Sequence, residues 1–251
     1  GVLELMYVKK LAVSKEKRLY PIEDLQRSYN FSEGHLTRED LRAVDHNGLV
    51  TSSTGEEFVV CDATFKDNMN RMKRRAAIVI PKDVGFIIAE TGLPKDAVVL
   101  DCGAGSGGVT CQLAALVKKV YAYDVNPLHV KTVQENIERM DLDNVVLEEN
   151  SITDISLPEQ VDVAVIDLPD PVQALPVLKK ALKQSGFVVF YTPQITQVQD
   201  IIRALGDDFK YITTIELLQR RWEVHDKVLR PKHSMLGHTA FLTVVRKFAR
   251  E

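Results

Sequence analysis

The sequence is short of the residues that mark several protein classes. It has one tryptophan and three cysteines in 251 residues, and aromatics make up 7%. The cysteines (Cys61, Cys102 and Cys111) are odd in number, widely spaced and in no metal-ligand pattern, which argues against both a disulfide framework and a metal site. No apolar run reaches membrane-spanning length, and no signal-peptide pattern opens the sequence. These shortages predict a reduced, cytoplasmic setting. A large charge excess is missing too. The formal net charge of −3 excludes a uniformly basic nucleic-acid coat but leaves room for local basic patches. There is no internal repeat and no low-complexity tract. What remains is 45% hydrophobic and 27% charged, ordinary for a globular protein, and long enough for one large domain and a small one.

The most informative stretch runs from Val98 to Gly108, VVLDCGAGSGG. An apolar run ends in an acid and glycines follow. Val109, Leu113 and Leu116 then recur at helical spacing, so the pattern reads as strand, tight loop and helix start. In an α/β sheet such a loop lies beyond the carboxyl end of its strand, where nucleotide-like ligands bind. Glycines there let a ligand approach the main chain. A dinucleotide fold uses G-x-G-x-x-G, with the pyrophosphate on the helix N-terminus. Here the spacing is G-x-G-x-G-G directly after Asp101, the pattern of S-adenosylmethionine enzymes. Asp101 suits that ligand's ammonium group, and backbone N–H groups suit its carboxylate. The competing reading is a loop that only packs helix against strand.

Around this loop the chain reads in two parts. Short apolar runs such as Met6-Tyr7-Val8 and Glu57-Phe58-Val59-Val60, set between turn-rich stretches such as Asp45-His46-Asn47-Gly48, predict a small β-rich domain over residues 1–68. Residues 69–251 form the second domain. His35 and His46 fall in polar, turn-prone surroundings and suit surface or hinge roles. Arg71, Lys73, Arg74 and Arg75 are either a solvated helix face or a set of phosphate contacts. A helix is predicted from Pro81 to a stop at Gly92, and another after Asn126, which caps it ahead of Pro127. A later helical stretch is interrupted by Pro176, and one more carries Val198, Ile201, Ile202 and Leu205. Strands are predicted at Val98–Asp101, Val120–Asp124, Asn144–Glu148, Val161–Leu168, Phe187–Tyr191, Tyr211–Leu218 and Thr239–Val245. Between the last two lies a polar connection rich in Arg, Lys and His. Strand–helix alternation ending in two successive strands predicts a mostly parallel sheet with one reversed edge.

Two acids end strands of that sheet. Asp124 closes the second, where a carboxylate has two oxygens for the two hydroxyls of a ribose. Asp167 closes the fourth, next to the first, and should face the ligand across the switch point of the sheet. Pro169 and Pro171 stiffen the turn behind it. An acid held there suits recognition of an amine or stabilisation of positive charge.

The motifs Arg71-Met72-Lys73-Arg74-Arg75, Ile80-Pro81-Lys82-Asp83, the glycine loop and Asp167-Leu168-Pro169-Asp170-Pro171 occur in that order. Arg230-Pro231 and Gly237-His238-Thr239 follow. Over nearly the whole chain this resembles the tRNA (adenine-N1)-methyltransferases of archaea and bacteria. The resemblance implies an α/β fold: a Rossmann-like, seven-stranded S-adenosylmethionine-dependent methyltransferase domain preceded by a small β-rich N-terminal domain, assembled as a homotetramer. It implies S-adenosyl-L-methionine as cofactor and tRNA as substrate, methylated at N1 of a T-loop adenine, position 58 or its neighbour 57. Laid on the matching positions, it implies cofactor contacts at Asp101, Gly103, Ala104, Gly105, Ser106 and Gly107, a ribose acid at Asp124 and a catalytic acid at Asp167. Many relatives have Asp after the third strand, bonding the cofactor's adenine; here Ser151 stands there, with Asp154 three residues on. Ile80 stands where some archaeal relatives have His.

The expected tRNA contacts are Arg71, Lys73, Arg74, Arg75, Tyr191, Arg230 and His238, with Lys232 beside them. Tyr191, Phe190 and Trp222 are candidates to stack on an extruded base, core packing being the favoured role of each. The chemistry asks for little beyond alignment, because adenine N1 is a neutral nucleophile and a sulfonium methyl is already activated. Methylation makes the ring cationic, so Asp167 can accept a hydrogen bond from the 6-amino group and stabilise the developing charge. No metal and no membrane enter this scheme. Two other functions stay open at this level: the same cofactor with a protein or small-molecule acceptor, and a non-catalytic tRNA-binding subunit of a methyltransferase complex.

Overall fold

A computed structural model describes residues 7–249. The chain divides into two compact units. One runs to Met72 and takes in Glu138–Asp141; the other comprises Lys73–Ile137 and the chain from Leu142 onward.

The first unit is β-rich, as its alternating apolar runs predict. It contains β1 (Lys10–Ser14), β2 (Leu19–Ile22), β3 (Tyr29–Phe31), β4 (Gly34–Leu36), α1 (Arg38–Ala43), β5 (Asn47–Thr51), β6 (Glu57–Asp62) and α2 (Phe65–Met69). Four of the strands make an antiparallel sheet in the order β2-β1-β6-β5, and β3 and β4 form a separate hairpin. Period-two alternation turns Ala12, Phe58 and Val60 inward onto Ile22, Leu36 and Leu41. Each short helix starts on a capping box, Thr37 with Asp40 and Thr64 with Asp67. Of the run Met6-Tyr7-Val8, Met6 lies outside the described residues and Tyr7 and Val8 precede β1. The basic run from Lys66 is helical only as far as Met69; Arg71 to Arg75 lie in loop rather than on a helix face.

The second unit is a seven-stranded sheet with helices between its strands. It consists of α3 (Pro81–Thr91), β7 (Val98–Cys102), α4 (Gly108–Ala114), β8 (Lys119–Asp124), α5 (Pro127–Arg139), β9 (Val145–Glu149), β10 (Val161–Ile166), α6 (Leu175–Ala181), β11 (Leu182–Thr192), α7 (Ile195–Ala204), β12 (Phe209–Glu216), β13 (Trp222–His225), β14 (Val228–Pro231) and β15 (Phe241–Lys247). The last residues of α5 count with the first unit. The sheet order is β12-β15-β11-β10-β7-β8-β9. β7 is buried along its whole length and β10 nearly so, as strands covered on both faces must be. The sheet is parallel from β9 to β11. β15 runs antiparallel to both β11 and β12, so the reversed strand is second from the edge, not at it. Pro176 corrects a further expectation. It does not interrupt a helix; it sits in the first turn of α6, where a missing N–H breaks no helical hydrogen bond. The polar connection before β15 contains the ribbon β13–β14.

Candidate active site

Parallel strands that share a direction end together, so β8 and β10 deliver Asp124 and Asp167 to one rim, with the end of β7 between them. A cavity of about 560 Å³ opens there, lined among others by Gly103, Gly105, Asp124, His129, Ser151 and Asp167. That volume suits a nucleoside-sized ligand. The glycine loop is shaped by its neighbours. Gly103 has φ +87°, and a Cβ on it would lie 1.9 Å from the Asp167 carbonyl oxygen, so only glycine fits. Gly103 and Ala104 N–H both donate to the Tyr123 carbonyl, and the Asp167 N–H donates to that of Cys102, which ties loop and acid to the strand ends. Gly107, also at positive φ, is the N-cap of α4.

Asp124 is buried and heavily bonded. Its Oδ2 accepts the Gly105 N–H at 2.8 Å and its Oδ1 accepts the Asn126 N–H at 2.9 Å. His129 Nδ1 lies 3.2 Å and 3.3 Å from the two oxygens. His129 was not singled out by sequence. The signal was present: it follows the Asn126-Pro127 helix start, in the first turn of α5, and that turn folds it back over the strand-end acid.

The electrostatics distinguish between ligand classes. Burial pushes the Asp167 carboxyl up to about 7, with Asp101 and Asp124 adding repulsion. Burial pushes Asp101 up to about 6, opposed by its hydrogen bond from Thr110, and Asp124 raises it further. Among the described residues no cation offsets either acid and, apart from His129, no basic side chain lines the cavity. Asp124 and Asp167 on the lining, with Asp101 buried behind them and no Lys or Arg among the lining residues, repel a pyrophosphate and attract a cation. The donor set thus fits a sulfonium- and ammonium-bearing nucleoside, and it disfavours a dinucleotide.

Other predicted residues fall in three groups. Ser151 lines the cavity with Asn150, and its hydroxyl lies 2.9 Å from that of Thr153; Asp154 is exposed and off the lining. Asp101, Ala104, Ser106 and Gly107 do not line it. Asp101 is buried against Thr110 of α4, and the Ser106 hydroxyl accepts the N–H groups of Arg75 and Ala76, both at 3.0 Å. These side chains shape the loop rather than face the cavity. Asp170 does line the cavity, a placement its turn role did not suggest.

The basic cluster is not one surface. Arg71, in the first unit, is half-buried and paired with Glu23 at 2.6 Å. Lys73 pairs with Glu135. Arg74 and Arg75 are exposed, with no ion pair among the described residues. Arg230 pairs with Glu223 at 2.8 Å across β13 and β14. Lys232 is exposed. His238 is raised above its usual range, first by the Glu216 carboxylate and then by the Pro193 carbonyl. Phe190 is fully buried in the core. Trp222 is not, contrary to expectation: at 55% exposure it shares an open ribbon face with Val224 and Leu229. A two-stranded ribbon has one face too many to bury. Tyr191 is half-buried, and its hydroxyl donates to Asp83 at 3.3 Å. Among the described residues there is no membrane-length apolar helix and no group of three His, Cys, Asp or Glu side chains that could hold a metal.

Comparison with known proteins supplies a family and a fold. Residues 68–236 match the family model described as the tRNA methyltransferase complex GCD14 subunit. A tRNA (adenine(57)-N(1)/adenine(58)-N(1))-methyltransferase of Methanocaldococcus jannaschii is 30% identical, over 96% of this chain and 95% of the relative. A tRNA (adenine(58)-N(1))-methyltransferase of Thermus thermophilus is 32% identical, over 88% and 89%. Among solved structures, an S-adenosylmethionine-dependent O-methyltransferase from Thermotoga maritima superposes with a TM-score of 0.79 at 25% identity, over 97% of this chain and 94% of that one. A tRNA (m1A58) methyltransferase from Aquifex aeolicus shares the fold, with a TM-score of 0.77 at 23% identity over 98% and 99%.

Proposed function

The chain belongs to the family described as the tRNA methyltransferase complex GCD14 subunit, and from that premise we propose that it transfers a methyl group from S-adenosyl-L-methionine to N1 of a T-loop adenine in tRNA. The observation that carries the reading is the acidic rim without lysine or arginine, with Asp167 held by its own backbone against the glycine loop. In this reading Asp124 takes the ribose hydroxyls, the backbone of Gly103 to Gly105 passes along the ligand, and Ser151 and Asn150 lie toward the adenine. The cofactor supplies an electrophilic methyl on a positively charged sulfur. Asp167 accepts a hydrogen bond from the 6-amino group of the target adenine, which sets the N1 lone pair in line and opposes the charge that grows on the ring. A carboxyl poised near neutrality ionises when a cation arrives, so each positive charge brought to the rim strengthens Asp167 as an acceptor.

Phosphate contacts fall to Arg74 and Arg75, with Lys232 in the second set; Arg71, Lys73 and Arg230 must exchange an acidic partner before they can join. We infer a homotetramer from the family resemblance, and the open apolar face of Trp222, Val224 and Leu229 offers a second copy a surface to cover. A tRNA substrate implies a cytoplasmic setting.

Asp167→Ala tests the assignment. It should fold and still bind the cofactor, about tenfold more weakly above pH 7 where the native carboxylate is ionised, and at saturating cofactor transfer methyl in a single turnover about a hundredfold to a thousandfold more slowly. Equal single-turnover rates would remove Asp167 from the mechanism. Should both proteins bind tRNA and neither methylate it, the non-catalytic subunit becomes the function.

A further inference from the structure

Beside the acidic rim the second unit buries an ion pair that the scheme above does not use. Lys82 and Asp83 form the first turn of α3, immediately after Pro81. Asp83 is 0% exposed and the Lys82 side chain 9%. Lys82 Nζ contacts Asp83 Oδ1 and donates to Thr239 Oγ1 at 2.7 Å, and Asp83 Oδ2 accepts from the Tyr191 hydroxyl. Three separate parts of the chain thus converge on one phenol: the start of α3, the end of β11 and the segment leading into β15.

The register says where that phenol stands. In the parallel pair β10–β11, Ile166 is opposite Phe190. The next residue on each strand is Asp167 and Tyr191, so the two are neighbours at the carboxyl edge. Phe190 points into the core at 0% exposure, and alternation sends Tyr191 to the other side. Tyr191 does not line the cofactor cavity. It therefore stands beside Asp167 and outside the lining of the cofactor cavity. Burial, and the Asp83 carboxylate after it, hold the phenol above its ordinary range, so it stays protonated and can keep donating.

A buried ion pair is a poor way to gain stability, because desolvation offsets most of the attraction. Apolar residues would fill the same space. What this pair does that apolar residues cannot is fix a hydroxyl in direction. We propose that Lys82, Asp83 and Thr239 are positioning residues that clamp Tyr191 as the wall of the acceptor-base pocket next to Asp167. This rests on the proposed function, and it names residues that set the orientation of the base.

The test is a double-mutant cycle with a second, activity-free readout. Lys82→Met is combined with Tyr191→Phe, and Thr239→Val, which removes only a hydroxyl, serves in place of Lys82→Met if that variant does not fold. The activity-free readout is the ring-flip rate of Tyr191, followed by NMR on protein carrying ring-labelled tyrosine and assigned with Tyr191→Phe. The clamp predicts faster flipping in Lys82→Met and a tenfold or greater loss of kcat/KM for tRNA, with cofactor affinity unchanged. It also predicts less than a further twofold loss when Lys82→Met is added to Tyr191→Phe, since Lys82 acts through the phenol. An unchanged flip rate, or losses that multiply in the double variant, overturns it. If the native protein methylates no tRNA, the proposed function falls, and an unchanged or raised flip rate still decides whether the clamp exists.

Discussion

Replacing Asp167 by Asn should make the ligand-free protein more stable and less active. Burial and two neighbouring acids move the carboxyl from 3.8 to about 7. The folded protein therefore holds a proton that the unfolded chain gives up near pH 4. Stability from this group is fully present below the ordinary value and is lost as pH rises through about 7. At about 1.4 kcal/mol per pH unit, the cost above pH 7 is at most about 4 kcal/mol. The side chain keeps some contact with solvent, so an effective cost of ~1–2 kcal/mol is the better expectation. For a chain of this length that is a rise in Tm of about 2–8 °C. Asparagine keeps the size and one acceptor oxygen without the charge. Calorimetric melts of native and Asp167→Asn protein at pH 8 should show this rise, and melts at pH 4 should show almost none. A variant that melts at or below the native temperature at pH 8 would refute the claim that an uncompensated charge is stored at this rim.

Three further outcomes follow from the same site. Asp124→Ala removes the acceptor of the Gly105 and Asn126 N–H groups and should weaken cofactor binding by ~1–3 kcal/mol; unchanged calorimetric affinity in a folded variant would remove the ribose assignment. Cofactor affinity should rise with pH between 5 and 8, by about tenfold or more, because the cation displaces protons from carboxyls held at about 6 and about 7; a flat isothermal titration series would contradict this. Affinity for tRNA should fall steeply with salt, and Arg74→Ala with Arg75→Ala should flatten the log–log slope by about one for each phosphate no longer neutralised; an unchanged slope would place the phosphates elsewhere.

Much of the sheet was legible because its strands are extreme. β7 and β10 are buried almost throughout and read as apolar runs, broken in β10 only by Asp162, that end in acids. The place of β15 was not legible, since chain order says that two strands are successive but not that the later one inserts between its predecessor and β11. The β13–β14 ribbon was hidden because Arg220, Arg221, Lys227 and Arg230 mask the alternation of Trp222, Val224 and Leu229. Strand-end acids were found by their position. The work each does depends on packing: Asp124 and Asp167 line the cavity, whereas Asp101 is turned onto Thr110. The Arg71 ion pair was not legible, because its partner, Glu23, is 48 residues away and no local pattern connects them. The Lys82–Asp83 pair looked like an ordinary helix start, and only the arrival of Tyr191 and Thr239 gives it a direction.

The central claim is the transfer of a methyl group to N1 of a tRNA adenine. Its most direct test is to incubate the protein with an unmodified tRNA transcript and methyl-labelled S-adenosylmethionine, digest the RNA to nucleosides and identify the labelled product by mass spectrometry. The account predicts label in 1-methyladenosine, lost when the T-loop adenines of the transcript are replaced by guanine. Label in a ribose O-methyl nucleoside, in another base, or in protein and none in RNA would contradict it.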